Sequence, residues 1–466
     1  MTPSRTRSFI GQEARFGARN YRPVPVVVER ALDCLVWDVE GREYIDMMSA
    51  YSAVSHGHLH PRLVAAAHRQ LTRVAVTSRA YHGTTLGPFL EHLCALAGFE
   101  RALPMNTGAE AVETAIKCAR RWGYRVKGIA DGQAEILVAR QNFHGRTSTI
   151  VGFSSEPDYR AGFGPFAPGF RHFDFGDIAS VREATGSNTC AVLIEPIQGE
   201  AGVILPPPGF FRELRDWCSR NRILLVIDEV QSGLGRTGRL FAFEHEGIRP
   251  DALILGKALG GGLLPVSAFL ADGPVMDVFD PGSHGSTFGG NALAAAVALE
   301  SLQVLQDERL VERSAEMGAH LIARLRAVQQ QAGPVIRDVR GRGLWVGVDI
   351  DPEHASARDL VERLAENGVL SKETHETVIR FAPPLTITAA LIDRAVDTFA
   401  RIVLARTASP ALDSRAPAVA GSLTAASVGA TAVSGHCLNL PDAACRIPAD
   451  PAPAKGAALS LHTARR

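Results

Sequence analysis

Five short apolar runs, EILVA, CAVLIEP, ILLVIDE, DALILGK and VSAFLA, follow one another between Glu135 and Ala271 at the spacing of strands in βα units. They are apolar almost throughout and lack the alternation of a half-exposed strand, so both faces of the sheet they form must be covered. GAEAVETAIKCARRWGYRVK, ahead of the first run, and GFFRELRDWCSRN, between two others, carry the helical period needed to cover them. The pattern predicts an α/β fold with a mostly parallel central sheet and helices on both faces. Ligands of such sheets bind outside the carboxyl ends of the strands. Glu195, Asp228 and Lys257 each stand at the end of their own apolar run.

A chain of 466 residues is too long for one small core. CLVWDVEGREYIDMMSA alternates around its EG pair and predicts a hairpin between Leu35 and Met48. Pro61 fits the first turn of a helix. From about Asn291 a helical stretch leads away from the sheet region, followed by VIRDVRGRGLWVGVDI, ASARDLVERLAENG, HETVIRFAPPLTIT and a last helix ending near Leu404. We therefore expect an N-terminal segment, 1–55, that joins a smaller α+β domain at 301–405, and a large ligand-binding domain at 56–300. Residues 406–466 are dominated by Ala, Ser, Gly and Pro and predict a flexible tail. Lys plus Arg and Asp plus Glu both number 49, which gives no support to nucleic acid as a partner. The 7 cysteines are scattered without a CxxC pair, and no run reaches bilayer length; a cytoplasmic enzyme is expected.

GLGRTG, Gly233–Gly238, matches the letters of a dinucleotide fingerprint, but RLFAFEHEG after it is not a fingerprint helix. GKA at Lys257 lacks the Ser or Thr of a phosphate loop. PMNTGAEAVETAIK is open to two readings. Asn106 or Thr107 could simply cap a helix, or the first-turn amides of Gly108 and Ala109 could hold an anion. The acid and the amine bear on that choice. Asp228, at the end of a buried strand, needs a cationic or hydrogen-bonding partner, and a protonated pyridine nitrogen supplies one. Lys257 would take an aldehyde on the same ring as an imine and later act as the proton-moving base. Lysine, acid and anion nest at neighbouring strand ends meet the demands of pyridoxal 5′-phosphate.

The chain resembles the class III, fold-type I pyridoxal-phosphate aminotransferases, and within them the ornithine branch. The likeness spans about Asn20 to Leu404 and rests on NYRPVPVVVERA, LPMNTGAEAVETAIKCARRWGY, GFGPFAPGF, LIEPIQGEAGVILPPPGF, IDEVQSGLGRTGR, LGKALGGGLLPVSA, HGSTFGGN and IRFAPPL. It implies that Lys257 carries the cofactor, Asp228 pairs with the ring nitrogen, and Gly108 and Ala109 bind phosphate. Phe143 would stack on the ring and Gln231 would reach its phenolic oxygen. Ser286 and Thr287 would cross to the phosphate of a partner subunit, implying a homodimer with shared sites; pairing of dimers into a tetramer is left open. Substrate recognition falls by the same resemblance to Tyr21, Tyr51, Arg146, Glu195, Glu200 and Arg380. Arg146 would clamp the α-carboxylate of ornithine, beside Tyr21, and the γ-carboxylate of glutamate. Arg380 would take the α-carboxylate of glutamate and be masked by Glu200 when ornithine is bound. Tyr51 would limit access.

The expected reaction moves the δ-amino group of ornithine to 2-oxoglutarate, with acetylornithine, γ-aminobutyrate or lysine as alternative donors. His144, in NFHGR, departs from the family that the chain resembles, whose members carry tryptophan there in NFWGR, either as a neutral swap or as a changed preference at the clamp. Two readings from other classes compete with it: a nicotinamide-dependent dehydrogenase built on GLGRTG, and a non-catalytic regulator that keeps the fold. His56, His58 and His60 alternate, but without a further ligand they do not make a metal site.

Overall fold

The computed structural model describes residues 4–407; the remainder of the expected tail lies outside the described residues. Three N-terminal strands, β1 (Val28–Leu32), β2 (Leu35–Asp38) and β3 (Glu43–Asp46), form an antiparallel meander that contains the expected hairpin. Seven more strands build the central sheet: β4 (Arg101–Met105), β5 (Glu135–Ala139), β6 (Phe170–Phe173), β7 (Thr189–Ile194), β8 (Leu224–Asp228), β9 (Ala252–Leu255) and β10 (Ser267–Ala271). Their order is β4-β10-β9-β8-β7-β5-β6. Strands β6 to β9 and β5 run parallel, whereas β10 is antiparallel to both neighbours. β10 reverses because a glycine-rich loop, not a crossover helix, joins it to β9.

Every residue of β7, β8, β9 and β10 is buried, in line with their unbroken apolar runs. β4 and β6 escape a reading by hydrophobic runs. RALPM carries a proline tolerated at a sheet edge, and FRHF alternates because it is the other edge. Since β4 runs with β9, the carboxyl ends of β4, β5, β7, β8 and β9 open on one side, where all the candidate residues of the large sheet lie.

A third sheet, from the last part of the chain, consists of β11 (Ile336–Arg342), β12 (Trp345–Ile350), β14 (Lys372–Thr374) and β15 (Val378–Phe381), in the order β11-β12-β15-β14. Between β12 and β14, the two-residue β13 (Val369–Leu370) pairs in parallel with β3, fastening the N-terminal meander to the C-terminal part.

GLGRTG is consumed by this fastening. Arg236 is fully buried, and its guanidinium donates to the Leu344 and Pro383 carbonyls and to the hydroxyls of Ser49 and Ser55. A Cβ on Gly238 would lie 2.9 Å from the Ala315 backbone, so close packing rather than a nucleotide accounts for that glycine. His56, His58 and His60 turn to three separate partners, the Ser301 carbonyl, Asp46 and Glu308. Among the described residues, no helix is long and apolar enough to cross a membrane.

Candidate active site

A cavity of about 180 Å³ opens at the strand ends. Gly108 and Ala109 line it from the helix Gly108–Trp122. Thr107 caps that helix by accepting from the Glu110 amide, and the Glu110 carboxylate accepts from the Asn106 and Thr107 amides. Capping therefore uses the Glu110 amide and leaves the first two N–H groups of the helix facing the cavity, since an α-helix gives them no internal acceptor. Both readings of this segment hold at once: the helix is capped, and its first amides are available.

Across the cavity stand Lys257, Asp228, Glu195, Gln231, Phe143 and His144. Lys257 follows β9 with a φ of 43°, left-handed backbone that a non-glycine residue adopts at a cost. Burial pushes its pKa down to about 8, with the carboxylates of Glu200, Asp228 and Glu195 pulling the other way and Arg380 adding to the fall. Asp228 is 5% exposed; one oxygen accepts from the Val230 amide at 3.0 Å and the other lies 2.7 Å from Nδ1 of His144. An ionised carboxylate can only accept, so His144 Nδ1 carries a proton. Burial would lower the pKa of His144, but the hydrogen bond and charge of Asp228, reinforced by Glu195, raise it. Glu195 accepts from the Phe143 amide at 2.9 Å, and burial lifts its pKa to about 7 against the pull of His144.

A second group adjoins the first. Arg380, 1% exposed on β15, donates to Glu200 at 2.8 Å and to Gln231 at 3.3 Å. Its Nε and second Nη are buried without a hydrogen-bond partner among the described residues, which leaves one edge of the guanidinium fork unsatisfied there. Although burial opposes ionisation, Arg380 and then Lys257 draw the pKa of Glu200 down to about 2. Tyr51 lies beneath Arg380, its ring centroid 5.0 Å from the guanidinium carbon. It is presented by a turn in which Ser49, Ala50, Tyr51 and Ser52 all have positive φ, between 45° and 73°. Asp46 holds this turn by accepting from the Met48 and Ser49 amides. Arg146 is held differently: its guanidinium carbon lies 3.7 Å from the Tyr159 centroid and 5.4 Å from that of Phe143.

A lysine of lowered pKa, a buried carboxylate and free helix amides thus share one cavity, with Arg380 bonded to its Gln231 and Arg146 against its Phe143. The sequence matches the family described as aminotransferase class-III over residues 16–403. The chain belongs to the class-III aminotransferases. This aminotransferase is 51% identical to the ornithine aminotransferase of Bacillus subtilis over 400 residues, 86% of this chain and 98% of that relative. It is similar to the structure of ornithine aminotransferase from Toxoplasma gondii, described with partial occupancy of PLP at its active site. The TM-score is 0.84 at 42% identity, covering 86% of this chain and 95% of that one. It is similar also to acetylornithine aminotransferase from Elizabethkingia anophelis, with a TM-score of 0.78 and 44% identity over 86% of this chain and 99% of that one.

Of the expected site residues, Gly108, Ala109, Phe143, Glu195, Asp228, Gln231 and Lys257 line the main cavity of this aminotransferase. Glu200, Arg380 and Tyr51 form the adjoining group. Tyr21 is 79% exposed and does not line the cavity. Ser286 and Thr287 do not line the cavity of their own chain: Ser286 accepts from the Asn106 side chain, and Thr287 is exposed. His144 turns to Asp228, with Nδ1 2.7 Å from its carboxylate. Ile197, Val230 and Ser232 also line the cavity, and Tyr159 holds Arg146; sequence reasoning missed all four. Ile197, Val230 and Ser232 lie within four residues of Glu195 or Asp228, and that proximity was their available signal; Tyr159, 13 residues from Arg146, had none.

Proposed function

We propose that this aminotransferase moves the δ-amino group of L-ornithine to 2-oxoglutarate. The products are glutamate and glutamate 5-semialdehyde, which cyclises to pyrroline-5-carboxylate. One observation carries the reading: of the two arginines, Arg380 is masked by Glu200, whereas Arg146 is not paired with a carboxylate among the described residues. Ornithine carries one carboxylate and a distal amine, so it needs one exposed arginine and a masked second. Glutamate carries two carboxylates and needs both, with Glu200 drawn aside.

Class-III aminotransferases work with pyridoxal 5′-phosphate, and the donor set of the cavity fits it. The amides of Gly108 and Ala109 would hold its phosphate, Asp228 its ring nitrogen, Gln231 its phenolic oxygen and Lys257 its aldehyde carbon, with Phe143 on a ring face. When bound, the cofactor supplies an aldehyde that exchanges amines and a ring that draws electrons from a carbon losing its proton. The chain does the rest. Lys257 Nζ, neutral above about pH 8, moves the proton at the δ-carbon of the donor. Arg146 fixes the far carboxylate, and Tyr51 and the Glu200–Arg380 pair keep that end from turning round. The exposed Thr287, with Tyr81 and Phe288 at 75% and 54% exposure, supports a homodimer in which a second copy covers this face.

The test is an amino-donor panel with 2-oxoglutarate, following the cyclised semialdehyde with o-aminobenzaldehyde. Free ornithine should be the preferred donor. Turnover of acetylornithine without turnover of ornithine would overturn the reading. A second expectation concerns His144. A hydrogen bond to a buried charge is worth about 1.5–3 kcal/mol, so His144→Phe should weaken cofactor retention by about tenfold to a hundredfold. Absorbance titration of the cofactor-free protein with pyridoxal phosphate checks this. Unaltered affinity would mean that Asp228 needs no support from the imidazole.

A further inference from the structure

The geometry points to Tyr159 as a positioning residue that holds Arg146 by its ring face so that all of the arginine's in-plane donors stay free for substrate carboxylates. This rests on the reading that Arg146 serves both half-reactions. Tyr159 belongs to the short helix Pro157–Arg160, and no motif drew attention to it. Its centroid lies 3.7 Å from the guanidinium carbon, and its ring meets that of Phe143 edge-on, with centroids 6.2 Å apart at 81°. Tyr159, Phe143 and Glu200 also line a smaller cavity of about 80 Å³, and Phe143 is shared with the main one.

The two arginines are built for different duties. Arg380 also lies over a ring, that of Tyr51 at 5.0 Å, but Glu200 takes part of its donor fork and cancels its charge, so a substrate carboxylate competes with Glu200 for it. That suits an arginine needed in one half-reaction. Arg146 is compensated by π faces. A ring attracts the cation through its quadrupole, above the guanidinium plane, and takes none of the five N–H donors that lie in the plane. No competing anion has to be displaced, which suits an arginine that must clamp a carboxylate in every half-reaction. Phe143 alone, at 5.4 Å, is a weaker platform than Tyr159. The ring face, rather than the hydroxyl, is the part that acts.

The test uses the full-length, cofactor-loaded protein with Tyr159→Leu and Tyr159→Phe. Steady-state kinetics for ornithine and 2-oxoglutarate are paired with a calorimetric titration of glutarate, a dicarboxylate that cannot react. Tyr159→Leu should raise KM for both substrates and weaken glutarate by about tenfold, with kcat nearly kept. Tyr159→Phe should recover most of that loss. The inference is overturned if only one substrate is affected, if kcat falls while KM holds, or if Phe does as badly as Leu. If the wild type fails to use ornithine, the proposed reaction fails, while the glutarate titration still decides the role of Tyr159.

Discussion

Replacing Lys257 with alanine is expected to remove turnover by about 10⁴-fold or more, while the chain keeps its fold. The loss follows from position: Nζ is the amine placed among Asp228, Glu195, Glu200 and Arg380 at the end of β9, and among the described residues no other lysine lines the cavity. Survival of the fold follows from energetics. No hydrogen bond or ion pair ties the Lys257 ammonium among the described residues, and burial disfavours its charge, as the lowered pKa of about 8 records. Alanine therefore removes a group whose charged form the site resists, and it inherits the same φ of 43° without added strain. The pH dependence has a definite sign. A base must be unprotonated, so uptake of pyridoxal phosphate by the cofactor-free wild type should rise with pH through about 8, below the 10.5 of an ordinary lysine. Borohydride reduction followed by peptide mass analysis should find the cofactor on Lys257 and none in the variant. Thermal unfolding monitors the fold. Near-normal turnover in the variant would show that another amine does the work.

The central sheet was legible in the sequence because burial on both faces writes an unbroken apolar run, and β5, β7, β8, β9 and β10 each carry one. The direction of β10 was not legible, since a run of apolar residues has no polarity and only the missing crossover helix gives it away. Asp228, Glu195 and Lys257 could be found as ionisable residues closing buried strands, a placement too costly to be idle. Arg380 lies within a strand of the smaller sheet, and its partner Glu200 sits 180 residues earlier in a loop, so only the resemblance joined them. Arg236 is instructive in the opposite direction. Its motif looked like a cofactor loop, yet its guanidinium is spent on backbone carbonyls and serines that hold the Tyr51 turn. Tyr159 escaped altogether: a tyrosine in a polar surface segment has no signature until the fold brings an arginine over its face.

Glu200→Gln should invert the balance between the two carboxylate ends of the site. Glutamine keeps the shape and an oxygen to accept from Arg380, but it no longer cancels the charge. An arginine at 1% exposure then lacks its counter-ion, and removing one member of a buried pair typically costs about 3–5 kcal/mol. A dicarboxylate can restore what was lost; ornithine, offering one carboxylate to Arg146, cannot. The ratio of kcat/KM for glutamate to that for ornithine should therefore rise by about 30-fold or more, mainly through tighter capture of the dicarboxylate. Stability tells the same story through pH. The folded pKa of Glu200 is depressed to about 2 from 4.5, so its stabilising contribution is complete above 4.5 and disappears as pH falls toward 2. Wild type and variant should accordingly differ most in denaturant midpoint near neutral pH and converge in acid, and added glutarate should narrow the gap at pH 7. If the variant lost both half-reactions equally, Glu200 would be holding the cleft together rather than choosing between its substrates.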